Sequence, residues 1–197
     1  DGVAEWSGYA DRLAPMIMPG ETFVARFTPP RAGTFLYHTH MDDIWQLRAG
    51  LAGPLIVLEP GTTFDPATDH VFTITTTHSL DDALKIFVNG SFAPPAITCR
   101  VGVPQRFRFL NMTTFWTQSM ISLIAANRTL QWLPLQVDGA DVTPRERMPQ
   151  GAVTAVTIGQ TRDFTFTPTA AGDAELQFVP DPAFRRNIVT VAVHIVG

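Results

Sequence analysis

Gln105-Arg106-Phe107-Arg108-Phe109-Leu110 alternates charged and large apolar side chains. Successive residues of an extended chain point to opposite sides, so a period of two is the mark of a strand with one buried face. Phe164 and Phe166 repeat the alternation, and so does the segment 21–28, where Phe23, Ala25 and Phe27 fall on one side and Thr22, Val24, Arg26 and Thr28 on the other. The pattern predicts a half-buried strand over 21–28. Working outward, strand candidates lie at 34–40, 55–58, 70–77, 84–88, 105–110, 119–124, 130–137, 152–158, 163–168, 174–179 and 187–196. Asn89-Gly90 is a hairpin-type turn. Many short strands, evenly spaced, predict an all-β sandwich. One exception stands out: Ile44, Leu47 and Leu51 recur at helical spacing within 41–51, enough for a turn or two of helix before Gly53-Pro54 stops it.

Composition agrees. The 197 residues are 45% hydrophobic and 16% charged, with 14 Gly and 16 Pro to make turns. Such a chain buries a real core and is not disordered. The net charge is −4 with the basic residues scattered, which argues against a nucleic-acid partner. No apolar run approaches the roughly 18 residues needed to span a bilayer. A single cysteine, Cys99, excludes an internal disulfide and reads as a buried packing residue. Thr62 to Thr68 reads as a linker between a first segment of about 60 residues and a second of about 130. The second is long enough to close a sandwich by itself. The first would be marginal alone and would expose an apolar face, so other strands or another chain are expected to complete it.

The chemistry concentrates in Gly33-Thr34-Phe35-Leu36-Tyr37-His38-Thr39-His40. On a strand, His38 and His40 project to one side, about 6.6 Å apart at the backbone. Two imidazoles so placed can grip one metal ion or hold one each of two neighbouring ions, and imidazole suits copper and zinc. They can equally be solvated polar residues at a strand end. His70, His78 and His194 read as surface or turn histidines. Asp42-Asp43 reads as a solvated loop beside the pair, and the scattered methionines form no cluster.

The octapeptide, followed by Gln46 and by Gly50-Leu51-Ala52-Gly53-Pro54-Leu55-Ile56-Val57, resembles the second histidine motif of the multicopper oxidases, the laccase-like family. Pro19-Gly20-Glu21-Thr22-Phe23 resembles the family's entry to the preceding strand, and Asp1-Gly2 the Asp-Gly that follows its first histidine motif. The second segment resembles the family's copper-free cupredoxin domain, through Val88-Asn89-Gly90, Arg106 to Asn111, Asp138-Gly139-Ala140, Ile158-Gly159 and Asp163-Phe164.

The resemblance implies a cupredoxin-like Greek-key β-sandwich, with a partial domain at 1–61 and a complete copper-free one at 66–197. It implies that His38 and His40 bind one each of the two type 3 coppers of a trinuclear cluster, and that Asp1 helps supply protons for O2 reduction. The parent activity would be oxidation of phenolic or metal substrates coupled to four-electron reduction of O2 to water. Its location would be the periplasm or outside the cell. Since the ligands must be neutral imidazoles, copper should be lost below about pH 6. The family's first histidine motif, expected roughly ten residues before Asp1, is missing, as are the histidine and cysteine motifs of the type 1 copper domain. The cluster would therefore be completed by a missing N-terminal cupredoxin part or by another subunit, and this chain alone should not turn over. Two rivals stand beside this reading. One is a non-catalytic copper-binding or assembly module. The other, a copper nitrite reductase, is disfavoured because that family places a cysteine where this chain has Thr39.

Overall fold

An extended segment becomes a strand only when a neighbour accepts its backbone hydrogen bonds. The structure, a computed structural model, describes residues 15–76, 85–114, 118–180 and 187–197. Residues 21–28 alternate as expected but form no strand, because no strand runs beside them among the described residues; Phe23 and Phe27 stay 39% and 42% exposed. The rest of the first segment folds close to expectation. Strand β1 (Gly33–His38) leads into a short helix α1 (Asp43–Arg48), and β2 (Ala52–Val57) returns antiparallel to β1, from Gly33 opposite Val57 to His38 opposite Ala52. Tyr37 faces Gly53, where a Cβ would lie 2.5 Å from the tyrosine hydroxyl, so glycine is what lets the ring lie across the partner strand.

Beyond residue 68 the chain builds a two-layer sandwich. Its strands are β3 (Asp69–Thr76), β4 (Ile86–Val88), β5 (Ile97–Arg100), β6 (Gln105–Asn111), β7 (Ser119–Ala125), β8 (Arg128–Thr129), β9 (Gln131–Val137), β10 (Ala140–Asp141), β11 (Gln150–Gly151), β12 (Val153–Val156), β13 (Thr161–Phe166), β14 (Gly172–Pro180) and β15 (Val189–Val196). Among the described residues, one sheet runs β10-β9-β13-β6-β3-β4 with β11 on β9, and the other runs β12-β7-β14-β15-β5 with β8 on β7. The chain crosses repeatedly from layer to layer, and both open sheets contain one parallel pair, β3 with β6 and β5 with β15. This is the expected all-β, cupredoxin-like architecture. Asn89 and Gly90 both take positive φ, 50° and 73°, the turn type whose twist matches a hairpin. The short strand β5 follows Pro94-Pro95 and has no alternating pattern long enough to read from sequence.

The two layers close on aromatic side chains. Phe107, Phe109 and Phe178 are fully buried, with Phe72, Phe164 and Trp132 nearly so. Their rings meet edge-on or stacked, Trp132 on Phe164 at 4.2 Å and Phe72 on Phe109 at 5.5 Å, the arrangements that ring quadrupoles favour. Burying each such ring stabilises the fold by about 1.5–3 kcal/mol. The alternation of Phe107 and Phe109 thus does what the sequence pattern predicts. No helix among the described residues is long and apolar enough to cross a membrane.

Candidate metal centre

The histidines sit where β1 ends. His38 is its last residue and His40 follows in the turn towards α1, and both are half-buried. Their rings lie side by side, centroids 5.2 Å apart and planes inclined by 30°. His38 Nδ1 is 2.6 Å from the Thr39 carbonyl oxygen. A carbonyl only accepts, so Nδ1 carries the proton, and the neutral ring then has its lone pair on Nε2. Tautomer selection by a backbone carbonyl is the usual way a protein readies a histidine for metal. The turn is closed by Thr39 N–H donating to Leu51 O at 3.0 Å and by the Thr39 hydroxyl donating to Gln46 Oε1. Gln46 lies on α1, so the helix predicted from Ile44 and Leu47 exists and braces the pair.

The other end of β1 is anchored to the sandwich. Gly33 and Thr34 are buried. The Thr34 hydroxyl donates to Asp163 Oδ2 at 2.7 Å and accepts from Arg108 Nη1 at 2.8 Å, while Thr34 O accepts from the Thr161 hydroxyl at 2.8 Å. Asp163 Oδ2 also accepts from Arg106 Nη2 at 2.6 Å and from Arg108 Nη1 at 3.1 Å. Arg108 reaches Asp69 with its other nitrogens, at 2.6 and 2.7 Å. Two arginines and two aspartates therefore balance in charge under the strand. Burial pushes the Asp163 carboxyl up from its ordinary value, and Arg106, the Thr34 hydroxyl and Arg108 pull against that rise. At the rim, Arg31 donates to the carbonyls of Gly139 and Asp138, at 2.7 and 3.0 Å. Gly33 and Gly139 meet backbone to backbone, since a Cβ on Gly33 would lie 2.7 Å from Gly139 Cα.

The remaining candidates divide. Asp1 and His78 lie outside the described residues. Asp42 is exposed and caps nothing with its side chain. Cys99 is fully buried and its thiol is pushed up to about 11 by burial, as suits a packing residue. His194 is exposed and pairs with Asp173 across the sheet at 2.8 Å. His70 departs from the surface reading: it is 9% exposed, donates from Nε2 to Gln105 Oε1 at 2.9 Å, and packs edge-on against Phe107. Because an amide oxygen accepts, Nε2 carries the proton there. Among the described residues, no three His, Cys, Asp or Glu side chains come together as a metal site. What this part of the chain offers a metal is a pair of imidazoles. That fits copper's preference for nitrogen ligands but leaves coordination positions for groups from elsewhere.

Comparison with known proteins bears on the same stretch. Residues 3–62 match the multicopper oxidase family model. L-ascorbate oxidase of Cucumis sativus is 39% identical over 75 residues, covering 32% of this chain and 12% of that protein. The blue copper oxidase of Nitrosomonas europaea superposes with a TM-score of 0.76 at 16% identity, over 98% of this chain and 65% of its own. A copper nitrite reductase of the same organism superposes with a TM-score of 0.71 at 16% identity, over 94% of this chain and 70% of its own. The chain thus spans about an eighth of the length of the curated relative it matches. Fold likeness at such low identity does not separate oxidase from reductase. The separation comes from the first sixty residues, where the match is to the multicopper oxidase family model, while the fold as a whole is cupredoxin-like.

Proposed function

We propose that the chain is the part of a multicopper oxidase that contributes His38 and His40 as ligands to the type 3 copper pair of a trinuclear cluster. The observation that supports this reading is the geometry of the pair: rings 5.2 Å apart, held on one strand end, with the His38 proton on Nδ1 and its lone pair on Nε2. The parent enzyme oxidises phenolic or metal substrates and reduces O2 to water, copper supplying the redox chemistry. This chain's own residues orient the imidazoles and fix the tautomer of His38. Asp1, from its Asp1-Gly2 motif, takes the role of proton donor near the cluster. Residues 1–61 belong to a copper-bearing cupredoxin domain that polypeptide outside this chain completes. Residues 66–197 form its copper-free neighbour. The protein works in the periplasm or outside the cell, and this chain alone is inactive.

A second reading, a non-catalytic copper-binding or assembly module, would use the same pair of imidazoles. Against the nitrite reductase reading stands Thr39, whose hydroxyl is engaged by Gln46 where that reading needs a thiolate. The test is copper content and O2 consumption of the parent protein. His38→Ala and His40→Ala should each remove bound copper and abolish O2 uptake. Turnover at the parent rate in either variant would end the ligand assignment. Copper binding without any O2 uptake by the parent itself would favour the assembly module.

A further inference from the structure

The histidine strand stands on a footing that the ligand assignment does not use. β1 pairs with β2 alone among the described residues, and a two-stranded ribbon is marginal by itself. Its base is nevertheless fully buried, because Thr34 is tied from three directions: by Asp163, by Arg108 and, through its carbonyl, by Thr161. Thr34 lies four residues from His38 and on the same face of the strand. The separation is roughly 13 Å at the rise of an extended chain. A tilt of roughly 10° about Thr34 therefore moves the His38 ring by roughly 2 Å, several times the tolerance of about 0.5 Å for a preorganised ligand set. Without its hydroxyl contacts the ribbon loses both side-chain ties to the charged cluster and keeps the Thr161 bond to the Thr34 carbonyl, the Arg31 rim bonds, the glycine contact and the Arg48–Thr114 bond from α1.

From this we infer that Thr34 is a positioning residue for the metal site, and that the Arg108–Asp163 pair of the sandwich sets the pose of His38 and His40 through the Thr34 hydroxyl. The inference rests on the reading of the histidines as copper ligands. It goes beyond that reading by making the copper-free sandwich part of the site's machinery rather than a spacer. The hydroxyl is the atom at issue: it donates to the carboxylate and accepts from the guanidinium, so a methyl in its place breaks both contacts while keeping the β-branched shape that suits a strand.

The experiment compares Thr34→Val with Thr34→Ser in the chain as it stands, titrated with Cu(II) against a competing chelator, with thermal unfolding recorded in parallel. Thr34→Val should weaken Cu(II) binding at least tenfold, and Thr34→Ser, which restores the hydroxyl, should return it to within about threefold of the parent. Ile121→Val, a deletion in the core far along the chain, should lower the unfolding temperature while leaving Cu(II) affinity unchanged, so lost stability alone does not mimic the effect. If Thr34→Val does not fold, Arg31→Met, which removes both rim hydrogen bonds, should weaken Cu(II) binding at least threefold. Should the folded variant, Thr34→Val or in its place Arg31→Met, bind Cu(II) like the parent while His38→Ala has lost it, the positioning role is overturned and the ligand assignment survives. Should His38→Ala also bind like the parent, the ligand assignment fails and the positioning role with it.

Discussion

Replacing Asp163 with asparagine keeps the size and much of the hydrogen bonding of the side chain and removes its charge. The buried cluster beneath β1 is neutral as it stands, Asp69 and Asp163 against Arg106 and Arg108, and the substitution leaves it with one uncompensated positive charge. At an effective dielectric of about 20, each close arginine–carboxylate contact is worth roughly 4–5 kcal/mol of attraction. Asp163 makes two such contacts, at 2.6 and 3.1 Å. Relief from burying the carboxylate offsets several kcal/mol of that loss, and breaking one side of a buried pair typically costs about 3–5 kcal/mol net. The Arg106 side chain is 31% exposed, so water takes up part of its charge and the low end applies. We expect Asp163→Asn to destabilise the chain by about 3 kcal/mol, which lowers the unfolding midpoint by about 6–12 °C in a chain this long. The assay is thermal or urea unfolding followed by near-ultraviolet circular dichroism of the buried aromatic cluster. Adding Arg106→Leu should recover part of the loss, because it returns the cluster to neutrality; a double-mutant cycle reads that coupling directly. An Asp163→Asn protein within about 0.5 kcal/mol of the parent, with no coupling to Arg106, would show that the cluster is not held together by charge.

Two further outcomes follow from the same contacts. Gly33→Ala forces a Cβ to within 2.7 Å of the Gly139 backbone, and backbone yields poorly, so the variant should lose about 1–3 kcal/mol in urea unfolding; an unchanged midpoint would contradict the close approach. Cys99 ionises near 9.0 when unfolded and near 11 in its buried site. Below pH 9 both states hold the proton and stability is flat with respect to this group. Between about pH 9 and 11 only the unfolded chain releases it, so stability should fall as pH rises, by about 2–3 kcal/mol in all. A Cys99→Ala variant should lack that slope, and the same slope in both proteins would assign it to another group.

The sequence was most legible where one face of a strand is buried against a core. Phe107 and Phe109 alternate with arginines, and the chain there is a strand with both rings inside. The segment 21–28 alternates just as well and is not a strand, because alternation reports which way side chains point and says nothing about a partner's presence. β5 went unseen for the opposite reason: four residues after a proline pair become a strand only because β15 arrives beside them from nearly a hundred residues away. The histidine pair and its helix were readable because the residues that build them are close in sequence. The footing was not, since Thr34, Arg108 and Asp163 are separated by 55 to 129 residues and only the topology brings them together. Arg108 reads as an exposed charge on an alternating strand and is in fact 2% exposed, matched by carboxylates on both neighbouring strands. His70 misleads in the same way: opening a strand after a linker looks like a surface position until Gln105 and Phe107 are placed over it.

The parallel pairing of β5 with β15 has a consequence for synthesis. A ribosome releases the chain from its N-terminal side, and Val193 to Val196, the residues that β5 needs as neighbours, follow β5 by nearly a hundred residues. Until they emerge, β14 lacks its partner on one side and β5 lacks any. The second layer stays open for that interval, and Phe178, Leu176 and Cys99 wait in contact with water or with a chaperone. Deleting residues 189–196 would therefore withdraw the strand that joins β5 to the rest of its layer.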